Sequence, residues 1–220
     1  MIECVNHRTR EDLLKLCKEK NINITKKMEK SNIEELRTEI FKKILKQNKI
    51  KPSPILTRLY LEQMLPCFKE PVLFLGWAKY TEHYNKIIPM ISVDYNEKVN
   101  PDVTADVSKP ELKTKINKYI KDNKLKINKF NSLIINGVIG WGVNDDNQIN
   151  NTLKNCRDLL KNNGKMLVGW NIKNTEGSNR IISKDEMIQF LKNNKFKKIK
   201  YLDDVPDDSK WNHKYILCSK

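Results

Sequence analysis

The most constraining feature of this chain is a series of short apolar runs, each ending at a glycine or a small polar residue. Val72-Leu73-Phe74-Leu75 stops at Gly76, and Met90-Ile91-Ser92-Val93 stops at Asp94. Val103-Thr104-Ala105 stops at Asp106, and Asn131-Ser132-Leu133-Ile134-Ile135 stops at Asn136-Gly137. A brief continuous apolar run is how a strand buried on both faces reads, and such strands belong to parallel sheets covered by helices. Helical stretches lie between them. Ser108-Lys109-Pro110-Glu111 reads as a capping box opening a Lys-rich helix to about Asp122. Asp145 or Asp146 starts a helix with Ile149, Leu153, Cys156 and Leu160 on one face, and Gly164 is expected to end it. Met166 to Trp170 is a fifth strand, and Ser183-Lys184-Asp185-Glu186 caps a further helix. Phe196 to Leu202 and Tyr215 to Cys218 are the last two strands. The acidic turn region Asp203 to Asp208, not a helix, joins them, so the final pair is expected to be antiparallel. The expected fold class is α/β: a Rossmann-like, mostly parallel seven-stranded sheet with an antiparallel last strand and helices on both faces.

The first 50 residues differ. All seven glycines lie at or after residue 76, so this stretch is glycine-free, and it is rich in Lys and Glu. Thr9-Arg10-Glu11-Asp12 and Ser31-Asn32-Ile33-Glu34 read as capping boxes. Leu13, Leu16 and Cys17 share one helical face, and Ile33, Leu36, Ile40 and Ile44 share another. Between them Asn21 to Thr25 reads as extended. A separate helix–loop–helix module over 1–50 follows, with the sheet domain over 51–220. The boundary is set at Lys51-Pro52-Ser53-Pro54, where Pro54 behind Ser53 opens the next helix.

Composition narrows the partners. Lys and Arg number 42 against 27 Asp and Glu, a formal net charge of +15. Residues 1–51 hold 14 basic and 8 acidic groups, the densest excess, but every third of the chain is basic. Such a field attracts polyanions, nucleic acid above all. Lysine enrichment that serves only solubility is the competing reading. No apolar run is long enough to cross a membrane, and Met1-Ile2-Glu3-Cys4 does not open a secretory signal. An intracellular protein, cytoplasmic or nuclear and not secreted, is expected. Five widely spaced cysteines (4, 17, 67, 156, 218) and three scattered histidines (7, 83, 213) suggest neither a disulfide framework nor a metal site, and point to a reducing compartment.

In an open α/β sheet the ligand lies at the carboxyl ends of the strands. Gly76 would let the chain approach a ligand closely, Asp94 would accept both hydroxyls of a ribose, and Asp106 would hold an adenine amino group. Asn136 and Gly137 would line the reactive end.

With these residues in this order, the stretch over about 70–218 resembles the class I S-adenosylmethionine-dependent methyltransferases. Val72 to Gly76 matches the family's first motif, Asp94 its second-strand acid and Asp106 its third motif. Asn136-Gly137-Val138-Ile139-Gly140-Trp141-Gly142, Gly169-Trp170-Asn171 and Tyr80-Thr81-Glu82-His83-Tyr84 resemble strings shared by one group of methyltransferase-like proteins. The resemblance implies S-adenosylmethionine as cofactor, held by Gly76, Trp77, Ala78, Tyr80, Thr81, Asp94, Tyr95, Asp106, Val107, Asn136, Gly137 and Val138. His83, Asn136 and Trp141 are the candidate catalytic residues.

The chain also departs from that pattern. Gly76-Trp77-Ala78-Lys79-Tyr80-Thr81 has one glycine where the family has G-x-G-x-G, and the acid usual near that motif is absent. A nicotinamide site would need G-x-G-x-x-G here, so an oxidoreductase ranks far behind. Asn136-Gly137-Val138-Ile139 keeps only the first residue of the motif used by nucleic-acid amino-methyltransferases. Residues 8–45 resemble a SAP motif, a small DNA-binding module, which would set Lys15, Lys18, Lys26, Lys27 and Arg37 against DNA or RNA. Three readings follow: a methyltransferase directed to nucleic acid, a catalytically degenerate scaffold of the same fold, and a small-molecule methyltransferase.

Overall fold

In the computed structural model, residues 2–6, 8–172, 180–206 and 213–220 are described. They form two compact units, one of residues 1–67 with 83–88 and one of residues 68–82 with 89–220. The first contains α1 (Arg10–Glu19), α2 (Lys26–Lys30), α3 (Ile33–Gln47) and α4 (Leu56–Met64). Thr9 caps α1 in a reciprocal box with Asp12. The box on α3 is one residue later than the sequence pattern suggested, because Asn32 caps and Glu35 answers it. Asn21 to Thr25, expected to be extended, form no helix, but a short helix that the sequence reading did not foresee, α2, follows them, capped by Thr25 through the Met28 N–H. The Arg10 guanidinium reaches the carbonyls of Glu29 and Ser31, and so ties the start of α1 to the α2–α3 junction. Leu13, Leu16, Leu36, Ile40, Phe41 and Leu45 are fully buried.

Past Lys51 the same unit continues. Pro54 does not open α4, since Ile55 is its N-cap and the Ser53 hydroxyl instead accepts from the Ile55 N–H at 3.2 Å. Gln63 of α4 donates to Thr38 of α3 at 3.0 Å. The cysteines correct one expectation: Cys4 and Cys67 are joined in a disulfide within this unit. They lie 63 residues apart in sequence, so spacing alone gave no sign of the pairing. Cys17, Cys156 and Cys218 are buried thiols, and burial pushes Cys218 up to about 12.

The second unit is built on β1 (Val72–Leu75), β2 (Met90–Asp94), β3 (Val103–Thr104), β4 (Phe130–Asn136), β5 (Leu160–Asn171), β6 (Lys197–Tyr201) and β7 (His213–Ser219). They form one sheet in the order β3-β2-β1-β4-β5-β7-β6. Strands β1 to β5 pair in parallel, and β7 runs antiparallel to both neighbours. The expected fold class is therefore found, including the antiparallel end. All four side chains of β1 are buried, as its uninterrupted apolar run requires. Helices α5 (Glu111–Asp122), α6 (Asp146–Leu159) and α7 (Lys184–Asn193) bury Leu112 and Ile116, Ile149 and Leu153, and Met187 and Leu191 in the sheet's core.

Two local expectations fail. Pro110 is the N-cap of α5 and makes no side-chain cap bond, while Ser108 bonds back to Asp106 Oδ1 through its N–H (2.9 Å) and hydroxyl (2.7 Å). Asp106 thus competes for the group that would have capped the helix. Gly164 does not end α6, because the helix stops at Leu159 and Gly164 lies within β5. Acidic Asp207 and Asp208 lie outside the described residues, as do His7 and Gly177. Among the described residues no helix is long and apolar enough to cross a membrane.

Candidate functional site

The strand order fixes where a ligand belongs. From β1 the chain builds outward through β2 to β3, then crosses to the other side of β1 for β4. The crevice of such a sheet opens where that direction reverses, at the carboxyl ends of β1 and β4. A cleft of about 840 Å3 lies there. Its walls come from the loops after β1, β2, β3 and β4, which is why residues far apart in sequence line one cavity.

Gly76 makes the close approach possible. Its φ is +93°, and a Cβ there would lie 2.0 Å from the Asn136 carbonyl oxygen and 2.7 Å from Val138. Any side chain would force apart the ends of β1 and β4. Gly76 and Trp77 both donate their N–H to the Val93 carbonyl, turning the loop over β2. Trp77 is buried edge-on against Phe74, with ring centres 5.9 Å apart. The second wall is a tight loop after β4. Trp141, Gly142 and Val143 all donate to the Val138 carbonyl, and Gly140 donates to Val143. The Asn-Gly-Val…Gly-Trp-Gly string is thus the sequence of a loop closed on one carbonyl.

Asp94 supplies the charge. Its Oδ1 accepts from the Asn96 N–H at 2.8 Å, and it lines the cleft at the end of β2. Burial pushes its carboxyl above the ordinary carboxylate value, opposed by the backbone N–H groups of Asn96 and Tyr95. Tyr80 and Tyr95 are exposed aromatics at the rim.

Gly76, Trp77, Ala78, Tyr80, Asp94, Tyr95, Asp106, Val107, Gly137 and Val138 all line the cleft, together with Trp141. Two expected cofactor residues do not. Thr81 is fully buried and pins the loop, accepting from the Ala78 N–H at 3.0 Å and donating to its carbonyl at 2.7 Å. Asn136 is 4% exposed and turns its side chain toward β5 and β7, where its Oδ1 accepts from His213 Nε2 at 2.8 Å. His83 is not brought into the cleft. It belongs to the first unit, where its Nε2 pairs at 2.7 Å with the fully buried Glu62 carboxylate. The other Glu62 oxygen accepts from the Ser53 N–H at 3.1 Å. Trp170 is core, donating from its indole to the Ile182 carbonyl.

Sequence reasoning missed Asn96, Val99, Ala105, Gly142, Val143 and Asn144, which also line the cleft. Asn144 is the most informative of these. It donates to the Trp141 carbonyl at 3.2 Å, and its buried Oδ1 has no partner among the described residues. Its signal was faint, since an Asn before the Asp145 cap reads as ordinary loop. Among the described residues no group of His, Cys, Asp or Glu is arranged to hold a metal ion.

Of the basic residues expected to face nucleic acid, Lys15, Lys18, Lys26 and Lys27 are exposed on the first unit. Arg37 is not free for that task. It is paired with Glu34 and donates to the Arg8 carbonyl at 2.9 Å, so it braces α3 against the start of α1.

The strand order with a reversed β7, and a glycine and a carboxylate at the first two strand ends, decide the comparison. The fold is that of the class I methyltransferases. A SAM-dependent methyltransferase from Archaeoglobus fulgidus superposes with a TM-score of 0.54 at 14% identity, covering 80% of this chain and 97% of that one. A SAM-dependent methyltransferase from Thermotoga maritima, described as a possible histamine N-methyltransferase, gives 0.50 at 13% identity, covering 84% and 97%. No family model and no curated protein matches the sequence. At these identities the likeness establishes the methyltransferase fold.

Proposed function

We propose that this protein is an S-adenosylmethionine-dependent methyltransferase, directed to nucleic acid by its basic N-terminal module. The observation that carries the reading is the half-buried Asp94 carboxylate facing the same cleft as Gly76, at the reversal of the sheet. The donor set fits a nucleoside cofactor. Asp94 accepts the ribose hydroxyls, and Gly76 leaves room for the backbone to meet the ligand. Asp106 and Val107 border the base, with Tyr80 and Tyr95 as aromatic walls. Gly137 and Val138 lie at the reacting end. When bound, the cofactor supplies an activated methyl group on a sulfonium. The residues of the chain need only orient an acceptor lone pair in line with that group, because positioning dominates such a displacement.

The single-glycine loop also supports a second reading, a scaffold of the same fold that transfers nothing, since Ala78 and Tyr80 stand where the family pattern has its second and third glycines. The two are separated by incubating the protein with methyl-labelled cofactor and mixed DNA and RNA. Label entering the nucleic acid is expected. Cofactor binding without transfer to any acceptor favours the scaffold.

A further inference from the structure

At the amino-terminal end of the sheet, opposite the cleft, the fold gathers three cations. Leu160 is both the C-cap of α6 and the first residue of β5, so Arg157, in the last turn of α6, is carried to the sheet's edge. Leu160 is in register with Phe130 of β4, which places Lys129 at the same edge. Strand β7 runs the other way and ends there, with Ser219 in register with Lys165 of β5 and Lys220 following. Lys220 is held by two bonds. Its backbone N–H donates to the Gly164 carbonyl at 3.0 Å, and its Nζ donates to the Leu160 carbonyl at 3.0 Å. Lys129, Arg157 and Lys220 thus meet from three separate parts of the chain, and all three are half-buried.

These cations are not paired. Among the described residues no carboxylate lies within ion-pair distance of any of them. The Arg157 Nε–H is shut from solvent and has no partner, and the terminal nitrogens of Arg157 bond to none of the described residues. A buried donor without a partner is uncommon in a folded protein and calls for a cause. Burial pushes the Lys220 ammonium below its ordinary value, and the neighbouring Lys129 and Arg157 push it the same way, against Asp158. The carboxyl end of α6 offers only about half an elementary negative charge. With Asp158 counted as well, an excess of about 1.5 positive charges remains. A carboxylate or a phosphodiester, each with one charge, leaves part of that excess. A phosphate monoester carries about −1.5 to −2 near neutral pH and presents several oxygens to the guanidinium fork.

We propose that Lys129, Arg157 and Lys220 form a binding site for a terminal phosphate, carried by a small molecule or by the end of a nucleic-acid strand. The site lies at the other end of the sheet from the cleft and does not depend on the methyltransferase reading.

The test is NMR of the full chain, following the Arg157 Nε–H and Lys220 Cε signals during titration with inorganic phosphate at constant ionic strength set by chloride. Saturable movement of both signals is expected, together with a rise in the Lys220 titration midpoint. Arg157→Gln is expected to weaken binding, read at Lys220 Cε, by about tenfold or more, as loss of a charge-assisted hydrogen bond does. Arg157→Lys keeps the charge without the fork and should regain part of the affinity, which guards against a variant that merely unfolds. Movement that never saturates, or equal affinity in Arg157→Gln, overturns the proposal. Competition by a short single-stranded oligonucleotide then distinguishes the sources. If only the 5′-phosphorylated form displaces phosphate, the ligand is a strand end. If neither form does, it is a small phosphorylated molecule. Equal displacement by the 5′-hydroxyl form would assign the cluster to backbone phosphodiesters and overturn the terminal-phosphate site.

Discussion

At the scale of single residues, the cleft is made by side chains that conflict with the stability of the fold. Asp94 is the clearest case. Burial raises its pKa, so the folded chain holds its proton more tightly than the unfolded chain does. Stability contributed by the protonated form is present below the ordinary carboxylate range and is lost as pH rises through the raised value. At neutral pH the ionised Asp94 therefore destabilises the fold. Asp94→Asn keeps an oxygen for the Asn96 N–H and removes the buried charge. It is expected to raise the thermal midpoint slightly while weakening cofactor binding by about tenfold or more, read by thermal denaturation and calorimetry on the same sample. A lower midpoint with unchanged affinity would assign Asp94 to folding alone. The residues at the strand ends were legible in the sequence because a strand that stops at Gly or Asp announces its own end. His213 was not, since a lone histidine in a polar stretch gives no sign of the Asn136 and Asn171 amides that meet it from two other strands.

At the scale of elements, continuous apolar strands and capped helices were the most readable features, and tertiary demands moved the rest. Thr9 and Ser183 cap where the pattern put them. Ser108 does not, because Asp106 takes its hydroxyl. His83 shows the same limit for a candidate catalytic residue. Sequence placed it beside the cofactor loop, but the chain carries residues 83–88 into the first unit, where the buried Glu62 carboxylate needs a partner. The Cys4–Cys67 disulfide closes most of that unit's chain into a loop. Cys4→Ser should destabilise this unit by about 4 kcal/mol on loop entropy alone, measured as a drop in its thermal midpoint. Reducing agent should lower the wild-type midpoint and leave the variant's unchanged. A midpoint indifferent to both would mean that the bridge adds nothing to the folded state.

At the scale of the whole molecule, charge and fold carry separate messages. The net charge of +15 is spread along the chain, and exposed Lys15, Lys18, Lys26 and Lys27 add to it on the first unit. If these lysines contact phosphates, affinity for duplex DNA should fall steeply and log-linearly with salt. Changing all four to Gln should then reduce the slope by about 3 to 4, read by fluorescence anisotropy. An unchanged slope would remove the module from the contact. The central claim concerns the cleft and is tested most directly by calorimetry with S-adenosylmethionine on the wild-type chain and on Asp94→Ala. Saturable binding to the wild type, lost in the variant, is the predicted result. No heat at millimolar cofactor, or equal binding by both proteins, would contradict it.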